Sequence, residues 1–245
     1  MRPETYATPS ASEEGPIGGD HHPLDRPVWS MLTGRQAHLA EGDARAVRID
    51  RRYGPFGAAA DREAGAQAAL AALVPDDGEL WIVEDEPWPV PPGTREVKRA
   101  LLAQMVAVDA PPPARDGEPP VIPLSDADVA EMAALAGHAR PGPWGPATHR
   151  YGPFFGIRED GRLLAMAGQR MLMPGMAEVS GVATWADCRG RGFARALIGY
   201  VMRAMMARGE QPFLHSYADN AGAIALYESL GFRIRRQVHV LAIAR

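Results

Sequence analysis

The chain has 245 residues, 46% hydrophobic and 23% charged, which excludes global disorder and supplies core for one large domain or two small ones. A formal charge of −4 argues against a general nucleic-acid binder, and the single cysteine, Cys188, excludes an intrachain disulfide framework and a cysteine zinc cluster. The start carries no apolar run behind a basic stretch, and nowhere do 18 apolar residues follow one another, so a cytoplasmic protein without a membrane partner is expected. Residues 1–24, rich in Pro, Ser, Gly and Glu, read as a flexible tail; its His21–His22 pair supplies too few ligands for a metal site. After the tail, the pattern predicts a helix over 29–40, a strand over 44–49 and a helix over 61–73 weakened at its start by Gly65. A strand is expected over 79–84, and 97–108 carries strand signals, although KRALLAQMV suits helix equally. No catalytic constellation emerges in this half.

The stretch APPPARDGEPP at 110–120 reads as a proline-stiffened linker between an N-terminal α/β domain, 25–109, and a second domain, 121–245. The halves differ in sign. After Pro120 there are fourteen arginines, no lysine and ten acidic residues, a surplus of +4, which leaves −8 before it. Arginine without lysine suits an anionic ligand, because the guanidinium grips phosphate in a planar fork. The second half predicts a strand over 121–124 and a helix over 126–138 capped by Ser125 with Asp128. A Gly/Pro-dense loop follows, then a hairpin of 154–158 and 162–173 about Glu159-Asp160-Gly161. A strand over 177–185, a helix over 192–208, a strand over 212–217, a helix over 221–230 ending at Gly231, and closing strands over 234–243 complete a mixed α/β order. The pentapeptide Arg52-Tyr53-Gly54-Pro55-Phe56 recurs at 150–154, which makes the first half a candidate degenerate copy of the second.

The segment EVSGVATWADCRGRGFA, 178–194, carries the clearest chemistry. A strand runs into a turn of Arg189, Gly190, Arg191 and Gly192, and a long amphipathic helix then starts. A helix start offers unpaired N–H groups and the positive end of the dipole; glycines let a phosphate approach; arginines add charge at the rim. It is not a P-loop, since Lys98 is the only lysine in the chain, and a dinucleotide fingerprint fails at Arg195 where glycine is required.

Arg189-x-x-Gly192-x-Ala194 resembles the acyl-CoA pyrophosphate loop of the GNAT superfamily of N-acetyltransferases. Asn220-x-x-Ala223-x-x-x-Tyr227-x-x-x-Gly231-Phe232 is similar to that superfamily's second signature. The segment is especially like predicted acetyltransferases whose C-terminal domain resembles that of glycine N-acyltransferase. The resemblance covers about 119–245. It implies a mixed sheet flanked by helices and acetyl-CoA as cosubstrate, with no metal. It implies an acyl group passed directly from CoA to a primary amine on a small molecule or peptide. By the same resemblance, Val182, Ala183 and Thr184 line the pantetheine arm, Gly190, Arg191, Gly192, Phe193, Ala194 and Arg195 cradle the pyrophosphate, and Asn220 touches the cofactor. Tyr227 matches the general acid that protonates the departing thiolate. For the base, His215 and Glu178 stand as alternatives to water. Cys188 has no histidine close in sequence, so a covalent acyl-cysteine is not expected. The loop 141–151 matches the region covering the acceptor, where Trp144 and Tyr151 either line the pocket or anchor the loop. A non-catalytic acyl-CoA sensor on the same fold is the competing reading, and the oligomeric state is left open.

Overall fold

A computed structural model describes residues 22–245. His21 and the expected tail up to it lie outside the described residues; at its end Leu24 is fully buried, so ordered structure starts before the expected boundary at 24/25. The first half forms α1 (Pro27–Leu32), β1 (Ala40–Gly42), β2 (Ala46–Ile49), β3 (Gly57–Ala59), α2 (Ala64–Ala72), β4 (Leu80–Glu84) and β5 (Arg95–Ala107). The second forms β6 (Ile122–Leu124), α3 (Val129–Ala139), β7 (Phe154–Glu159), β8 (Arg162–Met173), β9 (Met176–Thr184), α4 (Phe193–Met206), β10 (Gln211–Tyr217), α5 (Ala221–Glu228) and β11 (Phe232–Ala244).

Most second-half expectations hold. Ser125 accepts from the backbone N–H of Ala127 and its own N–H donates to Asp128, the expected capping box, which opens a short 3-10 turn ahead of α3. The β7–β8 hairpin turns on Asp160 and Gly161, both left-handed at φ 49° and 80°. The helix expected over 29–40 stops at Leu32, where Gly34 follows, and the chain re-enters as a 3-10 turn at Ala37–Leu39. The ambiguous 97–108 is strand: β5 is extended for thirteen residues.

The sheet order shows why. The large sheet runs β4-β11-β5-β10-β9-β8-β7-β6, beside a small sheet β1-β2-β3. β5 is central. It pairs antiparallel with β11 from Phe232↔Ala107 to Ala244↔Arg95, and antiparallel with β10. The stretch 110–120 therefore divides the sequence into halves that share one sheet. Order and direction read alike from both sides of the β5–β11 pair. β3 bridges parallel to β4 at Phe56↔Trp81 as β9 pairs parallel to β10, with α2 and α4 as the two crossovers. β1-β2-β3 mirrors β7-β8-β9. Each half's last strand is exchanged: β11 closes on β4, and β5 closes on β10. The first half is thus a reduced topological copy of the second. The pentapeptide echo does not mark it, because 52–56 leads into β3 whereas 150–154 leads into β7, whose first residue is Phe154. The two echoing segments instead touch, with Tyr53 and Tyr151 edge to face at 5.2 Å.

One core cluster holds α4 (Leu197, Val201, Met205) against β5, β9 and Phe232 on one face of the sheet. On the other, α1 and the first half pack Val28, Met31 and Phe56 against Met171, Phe213 and Val240. The second cluster fastens the first half over the sheet beside β9 and β10.

Candidate active site: the cleft between strands β9 and β10

Parallel strands β9 and β10 pair only at Met176–Gln211, Ala177–Pro212 and Glu178–Phe213. Beyond these they diverge and open a cleft of about 300 Å³. Two bulges shape its walls. In β9, Gly181 and Val182 face the single residue Ala167, and Gly181 takes φ 63°, a conformation a Cβ would strain. In β8, Arg170 and Met171 face the single residue Glu178, so Arg170 forks Glu178 with Nε and Nη2, both at 2.8 Å, while the Met171 N–H donates to the same carboxylate.

The expected residues separate into three groups. Val182, His215, Asn220 and Tyr227 line the cleft, whereas the side chains of Ala183 and Thr184 do not. Ala183 is buried in the packing between α3 and the sheet. Asn220 caps α5, its Oδ1 accepting from the Ala223 N–H at 3.2 Å. Tyr227 packs edge to face on Phe232 at 6.1 Å, and burial pushes its phenol up, so it stays protonated at neutral pH. Among the described residues its hydroxyl has no hydrogen-bond partner.

The turn at 189–192 lies exposed, outside the cleft lining, at the N-terminus of α4. Gly190 and Gly192 sit at φ 80° and 81°, and a Cβ on either would meet no protein atom. Gly192 occupies the N-cap without a capping side chain, and the first helical bond runs from Ala196 N–H to the Gly192 carbonyl. The N–H groups of Phe193, Ala194 and Arg195 are thereby free for an anion. The Phe193 ring is buried in the core under the Arg191 guanidinium, so only its backbone faces the turn. Arg191 pairs with Glu159, and Arg195 Nη1 donates to Ser229 Oγ at 3.0 Å.

Neither expected base is free. Glu178 is fully buried; burial works to raise its pKa, but the Arg170 charge and hydrogen bond and the His215 hydrogen bond outweigh it and hold the carboxyl at about 2. Such an anion is a poor proton acceptor. His215 lies on the cleft wall, yet both ring nitrogens are engaged, Nδ1 with Glu178 Oε1 at 2.8 Å and Nε2 with Gln104 Nε2 at 3.1 Å. Gln104, fully buried on β5 directly across from His215, has its amide oriented twice. Its Nε2 donates to the Leu24 carbonyl, and Arg235, left unpaired by a bulge in β11, donates to its Oε1. Gln104 therefore presents N–H to His215, and the imidazole donates from Nδ1 to Glu178.

Trp144 and Tyr151 anchor the loop and do not line the cleft. Trp144 lies edge to face on Phe154 at 5.5 Å, and Tyr151 is buried against Tyr53. Pro141, Gly142 and Pro143 of that loop do reach the cleft. Cys188 is buried, and burial with the Asp187 carboxylate pushes its thiol up, away from a reactive thiolate. Sequence reasoning missed Gln104, Arg170 and the first-half wall of Phe56 and Trp81. Only the arginine surplus of the second half hinted at Arg170.

Comparison with known proteins bears on the family and the fold. The family model "Acetyltransferase (GNAT) family" matches residues 126–232. A solved protein of the GNAT family from Novosphingobium aromaticivorans DSM 12444 is 52% identical, with a TM-score of 0.86 over 92% of this chain and 99% of that one. A GCN5-related N-acetyltransferase from Kribbella flavida shares the fold, with a TM-score of 0.61 at 20% identity over 88% of this chain and 93% of that one. An uncharacterized protein of Mycobacterium leprae is 33% identical over an alignment of 177 residues that covers 67% of this chain and 44% of that protein. The chain thus spans less than half the length of that relative. These matches do not extend to the narrower likeness to glycine N-acyltransferase. Among the described residues no helix is long and apolar enough to cross a membrane. The chain belongs to the GNAT family of acetyltransferases.

Proposed function

We propose that this protein is an acyl-CoA-dependent N-acetyltransferase that passes the acetyl group directly to a primary amine. The observation that carries the reading is the coincidence of two features. A cleft opens where parallel strands part company, and the uncapped N-terminus of α4 stands beyond its β9 end. The first accommodates a pantetheine arm and thioester, and the second an anionic pyrophosphate. In this reading the N–H groups of residues 193–195 hold the pyrophosphate with Arg189 and Arg191 at its rim. Backbone along Val182, Ala183 and Thr184 pairs with the pantetheine, with Asn220 opposite. One of those amides polarises the thioester carbonyl.

The amine attacks the carbonyl carbon, the C–S bond breaks, and Tyr227 gives its proton to the departing thiolate. Glu178 is too acidic for the opposite task, and the Nε2 lone pair of His215 already accepts from Gln104. We therefore assign the proton lost by the amine to water. His215 and Glu178 become positioning residues that stiffen the cleft wall. The buried, protonated thiol of Cys188 supports direct transfer. The test is calorimetry with acetyl-CoA, followed by thiol release against primary amines. Binding followed by amine-dependent thiol release is expected; binding without release from any amine would make the protein a non-catalytic acyl-CoA-binding module.

A further inference from the structure

The acceptor end of the cleft has a composition of its own. Its wall comes from the first half and from β11: Phe56, Trp81, Val83, Leu102 and Val240. All five are apolar and two are aromatic. The charged side chains in the lining are Arg140 and Arg170, and among the described residues none of the lining is acidic. Two carboxylates touch lining residues from outside the lining: Glu178 is fully buried and already held by Arg170, His215 and the Met171 N–H, and Glu79 accepts from the Trp81 indole N–H at 2.7 Å.

Arg170 is bonded on one side only. Nε and Nη2 fork Glu178, whereas Nη1 makes no protein hydrogen bond among the described residues and faces Gly142, where a Cβ would stand 3.5 Å from it. Its guanidinium carbon lies 5.1 Å from the centroid of the Phe56 ring. A free Nη1 donor, held in place by the Glu178 fork, thus sits at the edge of an aromatic pocket, where an oxygen acceptor would find a charge-assisted N–H.

From this lining we infer that the acceptor is a small amine carrying a carboxylate and an apolar body of ring size, an aromatic amino acid in chemical class, and not a polyamine or aminoglycoside. The carboxylate meets Arg170 Nη1 and the ring meets Phe56 and Trp81. A polycation would bring several charges toward two arginines with no carboxylate in the lining to receive them. The inference rests on the acetyltransferase reading above.

The test holds the full-length enzyme and acetyl-CoA constant and compares thiol release with three acceptors: L-phenylalanine, 2-phenylethylamine, which lacks only the carboxylate, and spermidine. Acetyl-CoA binding is measured separately by calorimetry. L-Phenylalanine should exceed 2-phenylethylamine at least tenfold in kcat/KM, and spermidine should give no release above background. Trp81→Ala should lower kcat/KM for L-phenylalanine at least tenfold while leaving acetyl-CoA affinity unchanged, and Trp81→Phe should restore most of it. Spermidine as the best acceptor, equal rates with and without the carboxylate, or no release in any arm while acetyl-CoA binds would each overturn the inference. Failure to bind acetyl-CoA would instead overturn the parent reading.

Discussion

Glu178→Gln separates a scaffold role from a base role, because the two predict opposite signatures. The carboxylate is fully buried against Arg170, whose side chain is 12% exposed. The substitution keeps shape and removes charge, so the guanidinium remains nearly buried without its counter-ion. Breaking a buried pair by deleting one partner costs about 3–5 kcal/mol, against a total stability of about 5–15 kcal/mol for a typical domain. At about 2–4 °C per kcal/mol for a chain of this size, Tm should fall by about 6–20 °C. Neutralising both partners, in R170M/E178Q, should recover most of the loss. The penalty should also depend on pH. A carboxyl held at about 2 against a usual 4.5 contributes stability that is complete above 4.5 and is lost as pH falls toward 2. Urea unfolding of wild type and E178Q at neutral pH and at pH 3 measures this, with the gap smaller at pH 3. A loss below about 1 kcal/mol at neutral pH, smaller than any broken buried pair should give, would refute the argument. Unchanged stability with kcat reduced a hundredfold would return Glu178 to the role of base.

Other outcomes follow from the same geometry. Tyr227→Phe keeps the ring on Phe232 and removes the hydroxyl, so kcat should fall about 10²-fold with acetyl-CoA affinity unchanged; steady-state kinetics beside calorimetry checks both. Gly192→Val meets no protein atom but forces a branched residue to φ 81°, so it should cost about 1–3 kcal/mol of stability and weaken acetyl-CoA binding more than about tenfold, by titration of the folded variant. Burial lifts Glu84 to about 6 despite its ion pair with Arg26, so between pH 4.5 and 6 the native state binds more protons than the unfolded one, and stability falls as pH rises through that window. Urea unfolding should therefore show E84Q gaining about 1.5 kcal/mol on wild type from pH 4.5 to 6.5. A fragment of 121–245 loses β5 from between β10 and β11 and should not fold alone by circular dichroism, whereas co-expression with 22–109 should restore a folded complex.

Much of the second half was legible because its signals are local. The four-residue spacing of α4, the Glu159-Asp160-Gly161 turn, the Ser125 box and the glycine turn at 189–192 each depend on neighbours within one or two turns of chain. The place of β5 was not legible, because helix and strand suit KRALLAQMV equally and the choice is made by β10 and β11, more than a hundred residues away. For the same reason Gln104 carries no motif; its role comes from standing opposite His215 in the sheet. His215 and Glu178 were found as residues, but spacing along a strand does not show which lone pairs are already bonded, and that bonding is what argues against either as the base. Arg170 and Met171 oppose Glu178 only through a bulge, which no periodicity announces.

The two topological halves share an architecture and differ in one electrostatic detail. In the second half the crossover helix starts after Arg189, Gly190, Arg191 and Gly192, and its N-terminus is left open to an anion. In the first half the corresponding helix, α2, starts after Asp61, Arg62 and Glu63, and Asp61 Oδ1 accepts from the Glu63 N–H. Two carboxylates beside a helix start satisfy the dipole from within and repel a pyrophosphate. The corresponding strands also meet at Phe56↔Trp81, where Trp81 N–H donates to the Pro55 carbonyl, and those two aromatics instead wall the cleft between β9 and β10. The strand exchange makes this division of labour durable. β5 delivers Gln104 to His215, β11 delivers Arg235 to Gln104, and neither half holds a complete cleft without the other. The first half has no open helix start at α2, and what it supplies is wall to the cleft between β9 and β10.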